Sequence, residues 1–337
     1  MNHDVIALGH GSGGKLSREL LEKLLLPVLG NPVLDALEDS ASLSIASGTR
    51  LAFTTDSFVV TPLFFPGGDI GMLSVHGTIN DLAVSGAVPI ALSLALIAEE
   101  GLPTDELRRV VVSIATACAR ARVSIVTGDT KVVPRGSADK LFVTTSGIGL
   151  LRPDRSLGAR HVEPGDAVLV SGTIADHGVA ILTCRDGLAL TTPLESDTAP
   201  LHDLSSRLLS DCPGVHAMRD PTRGGLAAAL VEIAEGRGVG IEIDELRVPI
   251  DDRVRAVCEI YGLDPWLIAN EGKLLVFVAS EFAERALETL RRHPLGQRAA
   301  VIGSVTSAHP GRVAARTPLG TLRAVDLPAH ELLPRIC

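Results

Sequence analysis

Short apolar runs with strand character alternate with longer helical patterns from end to end of the sequence, which restricts the chain to sheets covered by helices. VIAL (5–8) precedes a glycine loop and a helical pattern from Leu16 to Leu26, and LAFTTDSF (51–58) reads as a strand. Asp69 can cap a helix reaching about Ser85. IALSLALI (90–97) is strand-like. Thr104, Asp105 and Glu106 open a further helix closed by Arg120 and Arg122, whose charges suit the helix dipole. Ser124 to Thr127 and LFVTTSGIGLL (141–151) complete an αβ sandwich with mixed strands. The predicted fold class is α/β (α+β).

At 337 residues the chain has room for two domains. The polar, turn-rich stretch RPDRSLGARHVEPGD (152–166) divides it, and VLVSG (168–172) starts a new strand. The expected units are residues 1–155, residues 156–328, and a mobile tail over 329–337. Helices are expected near 176–185, 200–211, 221–236, 250–261 and 281–292, and strands near 239–243, 273–278 and 299–305.

Composition removes several classes. Aromatic residues are only 3% of the chain, so the cores are aliphatic and stacking platforms for single-stranded nucleic acid are scarce. A net charge of −9 also argues against binding phosphate backbones, so no nucleic-acid partner is expected. The longest apolar stretch, Ala83 to Ala98, is broken by Ser85, Pro89 and Ser93 and is too short to span a bilayer, so no membrane association is expected. The first residues lack a basic segment followed by an apolar run. Five cysteines with no CxxC spacing read as reduced thiols, and the expected location is the cytoplasm.

Within GHGSGGK (9–15), Gly9, Gly14 and Lys15 fit GxxxxGK, but Leu16 stands where a P-loop needs Ser or Thr. A glycine loop before a helix can still hold an anion on its free N–H groups, which makes Gly13 and Gly14 candidate nucleotide contacts. Asp39, Asp56, Asp81 and Asp129 stand at ends of apolar segments, and converging carboxylates suit a Mg²⁺–nucleotide site. Asp81 and Asn80 lie inside a helix of small and apolar residues, where a carboxylate is costly unless paired or metal-bound. DPTRGGL (220–226) opens a helix with two glycines, fitting either a phosphate contact or an N-cap. NEGK (270–273) precedes a buried strand, with Glu271 facing either solvent or a cleft. The histidines show no HExxH spacing and no GxSxG elbow is present, so zinc hydrolysis and serine-triad chemistry are poorly supported. The sequence ends ELLPRIC, and a mobile thiol at Cys337 reads as a carrier arm, since exposed free thiols are otherwise avoided. Prenylation would need the Cys four residues from the end.

In this order along the chain, GHGSGGK, TTDSFVVTPLFFPGGDIG, HGTINDLAVSGAVP, TGDTKVV, DPTRGGL, NEGK and PRIC resemble the HypE family of hydrogenase maturation factors. That family lies within the superfamily of aminoimidazole ribonucleotide synthetase, selenophosphate synthetase and thiamine monophosphate kinase. The nucleotide elements are shared across the superfamily; the PRIC end is specific to HypE. The resemblance implies an N-terminal αβ sandwich whose sheets close a homodimer interface, a C-terminal α/β domain, and ATP in the cleft between them. It also implies a reaction. A carbamoyl group placed on Cys337 by the partner HypF is dehydrated with ATP to an S-thiocyanate, and the cyano group passes to iron held by HypC and HypD. By the same resemblance Asp39, Asp56, Asp81 and Asp129 hold Mg²⁺ and phosphates, with Asn80 at the nucleotide. Lys131 and Glu271 assist deprotonation or charge stabilisation. Glu38 stands where some superfamily members have Asp.

Three alternatives remain at this level. Selenophosphate synthetase chemistry needs a nucleophilic Cys or selenocysteine in the N-terminal glycine segment, and no Cys precedes Cys118. A thiamine monophosphate kinase-like phosphotransferase would not need a terminal thiol. A non-catalytic thiol carrier would bind without consuming ATP.

Overall fold

The computed structural model describes residues 14–29, 35, 37–44, 48–188, 193–327, 333 and 335–337. The expected strand at 5–8 and Gly13 lie outside these residues. Helical backbone runs through α1 (Lys15–Leu20), a π-helical turn (Leu21–Leu25) and α2 (Leu26–Leu29).

A five-stranded sheet follows in the order β1 (Ala41–Ser44), β2 (Arg50–Phe58), β7 (Leu141–Leu151), β5 (Ala87–Glu99) and β6 (Ser124–Val133). All its pairs are antiparallel except β5 with β6, which the long helix α4 (Thr104–Ala121) joins by a crossover. One face is packed by α4 and by α3 (Ile70–Val84). The ribbon of β3 (Phe64–Phe65) and β4 (Gly68–Asp69) leads into α3, and Asp69 caps that helix as expected, its Oδ1 accepting from the N–H groups of Gly71 and Met72. Helix α3 is apolar nearly all round and is buried nearly all round, as such a pattern requires. It can lie this close to the sheet because position 77 is glycine; a Cβ there would meet the Phe58 ring at 2.8 Å. The opposite face of the sheet carries Phe53, Val88, Ile90, Ile148 and Leu150, all exposed.

The second sheet has seven strands, ordered β14 (Leu322–Val325), β13 (Val313–Arg316), β10 (Gly240–Asp244), β12 (Ala300–Thr306), β8 (Ala167–Val170), β11 (Leu275–Val278) and β9 (Val215–Arg219). It is covered on both faces. Val168, Val170, Leu275 and Phe277 join a core with α7 (Gly225–Arg237). Their neighbours Leu169, Val276 and Val278 join another with α6 (His202–Asp211) and α9 (Ala283–Arg291), as a period of two dictates. Ala83 and Val84 of α3 enter that second core, so α3 ties the two sheets together. Helices α5 (Asp176–Asp186) and α8 (Asp252–Tyr261) contribute Val179, Ile181, Val254 and Val257 to the core beneath the first sheet. Among the described residues, no helix is long and apolar enough to cross a membrane.

Candidate functional site

The inner face of β2, helix α3 and the segment after β9 bring carboxylates together. Thr78 Oγ1 donates to Asp56 Oδ2 at 3.2 Å, and Thr54 Oγ1 donates to Asp81 Oδ2 at 2.6 Å. The same Thr54 hydroxyl lies 3.2 Å from the Asp39 carbonyl oxygen. Arg219, last residue of β9, places Nη1 3.0 Å from Asp39 Oδ1 and pairs with Glu232 through Nη2. Asp220 follows it, 8% exposed.

Burial and mutual repulsion dominate the electrostatics of this cluster. Asp39 is pushed up to about 6, because burial and the acids around it outweigh the attraction of Arg219. Asp220 is pushed up to about 8 by burial first and then by Asp39. Asp81 rises well above its ordinary value through burial and then Asp56, Asp220 and Asp39, and Asp56 rises through burial. Carboxylates in this condition bind protons or a cation, since isolated buried charge is costly. Their oxygen-only donor set fits a hard divalent ion such as Mg²⁺. Among the described residues, the metal-capable group gathered within 4.8 Å is instead Glu163, Asp166 and His216, where Asp166 is already hydrogen-bonded to His216 and to the Glu163 N–H. The clustered aspartates, of which Asp220 is buried and Asp39, Asp56 and Asp81 are half-buried, are spaced more widely, which suits carboxylates joined through a ligand's phosphates.

The NEGK segment closes the site from the second domain. Glu271 is 2% exposed, and its carboxyl is pushed well up by burial, then by Asp197, Asp220 and Asp56. Its backbone is held firmly: Asp197 accepts from the N–H groups of Glu271 and Gly272, and Lys273 Nζ lies 3.0 Å from Asp197 and 3.4 Å from Asp176. Asn80, expected at the nucleotide, meets protein backbone in this structure. Its Nδ2 donates to the carbonyls of Ala199 and Glu271, and its Oδ1 accepts from Leu201 N–H. The amide thus fixes protein backbone.

The end of the chain is docked in this structure. Ile336 bridges Val60 in antiparallel fashion; Val59 N–H donates to the Cys337 carbonyl and Thr61 N–H to the Arg335 carbonyl, both at 3.1 Å. His177 Nε2 lies 2.5 Å from the Ile336 carbonyl, Arg185 donates to the Arg335 carbonyl, and Arg335 pairs with Asp139. Leu333 and Ile336 are buried in the core that the first sheet shares with α5 and α8, and partly buried Cys337 packs against it. Val59 is three residues past Asp56, so the terminal residue stands roughly 10 Å along the strand from that carboxylate.

Asp129 and Lys131 do not join the cluster within one protomer. The sheet row Asp56–Thr145–Leu94–Gly128 puts Asp129 three strands away, roughly 14 Å. Both side chains are exposed on edge strand β6 and pair with each other at 3.2 Å. Gly14 is buried at the start of α1. Arg219, Asp197 and His177 carry the site's geometry without any motif to mark them in the sequence; Asp220 stood in a marked motif.

Residues 37–151 match the AIR synthase related protein N-terminal domain and residues 163–315 its C-terminal domain. A protein of Rhodobacter capsulatus named carbamoyl dehydratase HypE is 49% identical over 336 residues, covering 98% of each chain. A solved HypE–HypF complex matches with a TM-score of 0.87 at 45% identity, covering 92% of this chain and 99% of that one. A hydrogenase maturation protein HypE solved in complex with ATP matches with a TM-score of 0.83 at 46% identity, covering 99% of this chain and all of that one (100%).

Proposed function

This chain belongs to the HypE carbamoyl dehydratases, within the AIR synthase related proteins, and from that membership and the site's geometry we infer how it works. It is an ATP-dependent carbamoyl dehydratase of hydrogenase maturation, converting an S-carboxamide on Cys337 to an S-thiocyanate that supplies cyanide ligands for the iron of [NiFe] hydrogenase. The observation that carries this reading is the terminal Cys337 docked beside the end of β2, the strand that holds Asp56, with Asp81 of α3 in the same carboxylate cluster.

Amide oxygen is a poor leaving group in water. Transfer of the ATP γ-phosphoryl to that oxygen lets it depart as phosphate, and loss of both N–H protons leaves the C≡N bond. The balance is one S-carboxamide and one ATP giving one S-thiocyanate, ADP, phosphate and a net proton. Asp39, Asp56 and Asp81, joined by Asp220, would hold Mg²⁺, which neutralises phosphate charge as the γ-phosphoryl moves. Glu271, desolvated and therefore more basic than a surface carboxylate, is the candidate acceptor for an N–H proton. Asp129 and Lys131 fit the reading only if they come from a second copy. The exposed apolar face of the five-stranded sheet supports a homodimer in which β6 of one protomer reaches the other's site. Working boundaries of 1–155, 156–328 and 329–337 follow the two sheets and the tail. The proposed partners are a HypF carbamoyltransferase and a HypC–HypD acceptor complex, and the proposed location is the cytoplasm.

Isocyanate offers a test independent of any partner. Its carbon takes the Cys337 thiolate and its nitrogen a proton, giving the S-carboxamide directly. Intact-mass analysis and peptide mapping should then show that residue losing one water on addition of Mg²⁺ and ATP, but not with a non-hydrolysable analogue. ATP consumption unchanged in Cys337→Ala, with no loss of water in the loaded protein, would sink the reading in favour of a phosphotransferase.

A further inference from the structure

His177 is fully buried at the start of α5, far from any sequence motif of the site, and both ring nitrogens are engaged. Nε2 faces the Ile336 carbonyl, which can only accept, so Nε2 carries the proton. Nδ1 is then the acceptor and takes the Ser196 hydroxyl at 2.7 Å. The ring also packs edge-on against Phe65 at 5.7 Å between centroids. Burial holds the imidazole below its ordinary value, with Asp197 and the Ile336 contact pulling the other way, which is consistent with a neutral ring.

Ser196 belongs to a short segment that meets His177, the Glu271 loop and helix α3. Its N–H donates to the Pro66 carbonyl, and its hydroxyl accepts from Thr198 N–H. Its neighbour Asp197 holds the Glu271 backbone, and Thr198 meets His76 of α3. Tail and catalytic loop are thus referenced to one three-residue segment, the tail through a single imidazole.

We propose that His177 is the positioning residue for the terminal thiol, a latch whose Nε2–H registers the Ile336 carbonyl, and so Cys337, over the end of β2. The proposal rests on the reading that Cys337 carries the substrate. The contact is to backbone, so it fixes where the tail lies without reading what Cys337 carries. A docked thiol is partly buried, so the latch favours the internal step and opposes capture of Cys337 by anything outside.

The opposition of those two effects makes the test. Full-length wild type, His177→Ala, His177→Gln (which keeps a donor near Nε2) and Ser196→Ala are compared on two readouts. The first is the rate of Cys337 alkylation by iodoacetamide, followed by peptide mass so that exposed Cys184 does not interfere. The second is single-turnover loss of water, with ATP, from Cys337 preloaded by isocyanate. Loss of one hydrogen bond that orders the tail should be felt on the order of tenfold. His177→Ala should alkylate about tenfold faster and dehydrate about tenfold slower, with ATP binding unchanged. His177→Gln should recover most of both, and Ser196→Ala should lie between. Equal rates in wild type and His177→Ala on both readouts overturn the latch. A His177→Ala protein that has lost its ATP-induced thermal shift is misfolded, and the decision passes to Ser196→Ala and His177→Gln: wild-type behaviour in Ser196→Ala together with alanine-like loss in His177→Gln also overturns it. A wild type that never loses water overturns the function instead, while faster alkylation in His177→Ala would still support the latch.

Discussion

In the seven-stranded sheet, β8 and β11 send successive residues into opposite cores, and every one of them is buried. In the five-stranded sheet, β2 and β7 bury one face and leave Phe53, Ile148 and Leu150 in the open on the other. The seven-stranded sheet is complete within one chain. The five-stranded sheet has an apolar surface that a monomer has no reason to expose. Acidic residues divide along the same line. Asp56 lies on the inner face, raised by burial and pushing up Asp39, Asp81 and Glu271 in turn, whereas Asp129 lies on the free edge, paired with Lys131 in solvent. What one protomer's sheet keeps apart by three strands, a second copy placed on the open face can bring together.

The largest effect expected from this contrast is on folding. Leu169→Asp puts a charge between β8 and the helices that cover it, and should cost at least about 4 kcal/mol, enough to leave little soluble protein. Ile148→Asp changes an exposed residue on the open face. It should leave each protomer folded, with an unchanged circular dichroism spectrum, but sediment as a monomer. A dimer that survives Ile148→Asp would show that the open face is not the interface.

Next comes catalysis. Asp81→Asn and Asp129→Asn should each lower ATP-dependent loss of water by roughly 100-fold or more, since removing a group that stabilises phosphoryl charge costs on that order. If the site is shared across the dimer, unfolding and refolding the two inactive proteins together places both changes in one site of each hybrid and leaves the other intact. Random mixing should then restore about a quarter of wild-type activity. Full activity in Asp129→Asn alone would break the contrast from the other side, by removing β6 from the chemistry.

Much of this architecture was legible in the sequence because it is periodic. The α3 cap at Asp69, the β5–α4–β6 crossover and the helices of the second domain fall within a few residues of where spacing puts them. Strands β9, β13 and β14 were not, since VHAMR, VAAR and LRAV are short, and Ala and Arg carry little strand preference. The acidic positions at 39, 56 and 81 were legible as candidates, and the fold gathers them. Asp129 follows a strand-like run just as Asp56 does, and only its place on an edge strand separates them. Asn80 was marked by being polar in an apolar helix, but such a residue can as well fix backbone, and here it does. His177 was invisible, because a lone histidine at a helix start looks the same whether or not a tail from 159 residues away lies against it.

The smallest effect concerns protons. Asp220, ordinarily near 3.8, is pushed up to about 8, so the folded chain keeps a proton that the unfolded chain releases. The stability contributed by that proton is complete below about pH 4 and is lost as pH rises through about 8. Buried His76, pushed down to about 4, works in the opposite sense, weakening the fold as pH falls below 6.5. A window from pH 7 to 9 therefore leaves the imidazole out and reads the raised carboxylates, Asp220 together with Asp81 and Glu271. Without nucleotide or divalent ions, stability should fall by about 1 kcal/mol across that window, a drop of roughly 2 °C in Tm. Added Mg²⁺ should raise Tm more at pH 9 than at pH 7, because a cation bound to the cluster displaces the proton and must compete with it. Ile148→Asp should leave this pH response intact, since the buried cluster belongs to one protomer, whereas Asp220→Asn should flatten it. A metal-free Tm that rises from pH 7 to 9 would mean that the cluster holds no proton there, and that burial does not hold these carboxylates above their ordinary range.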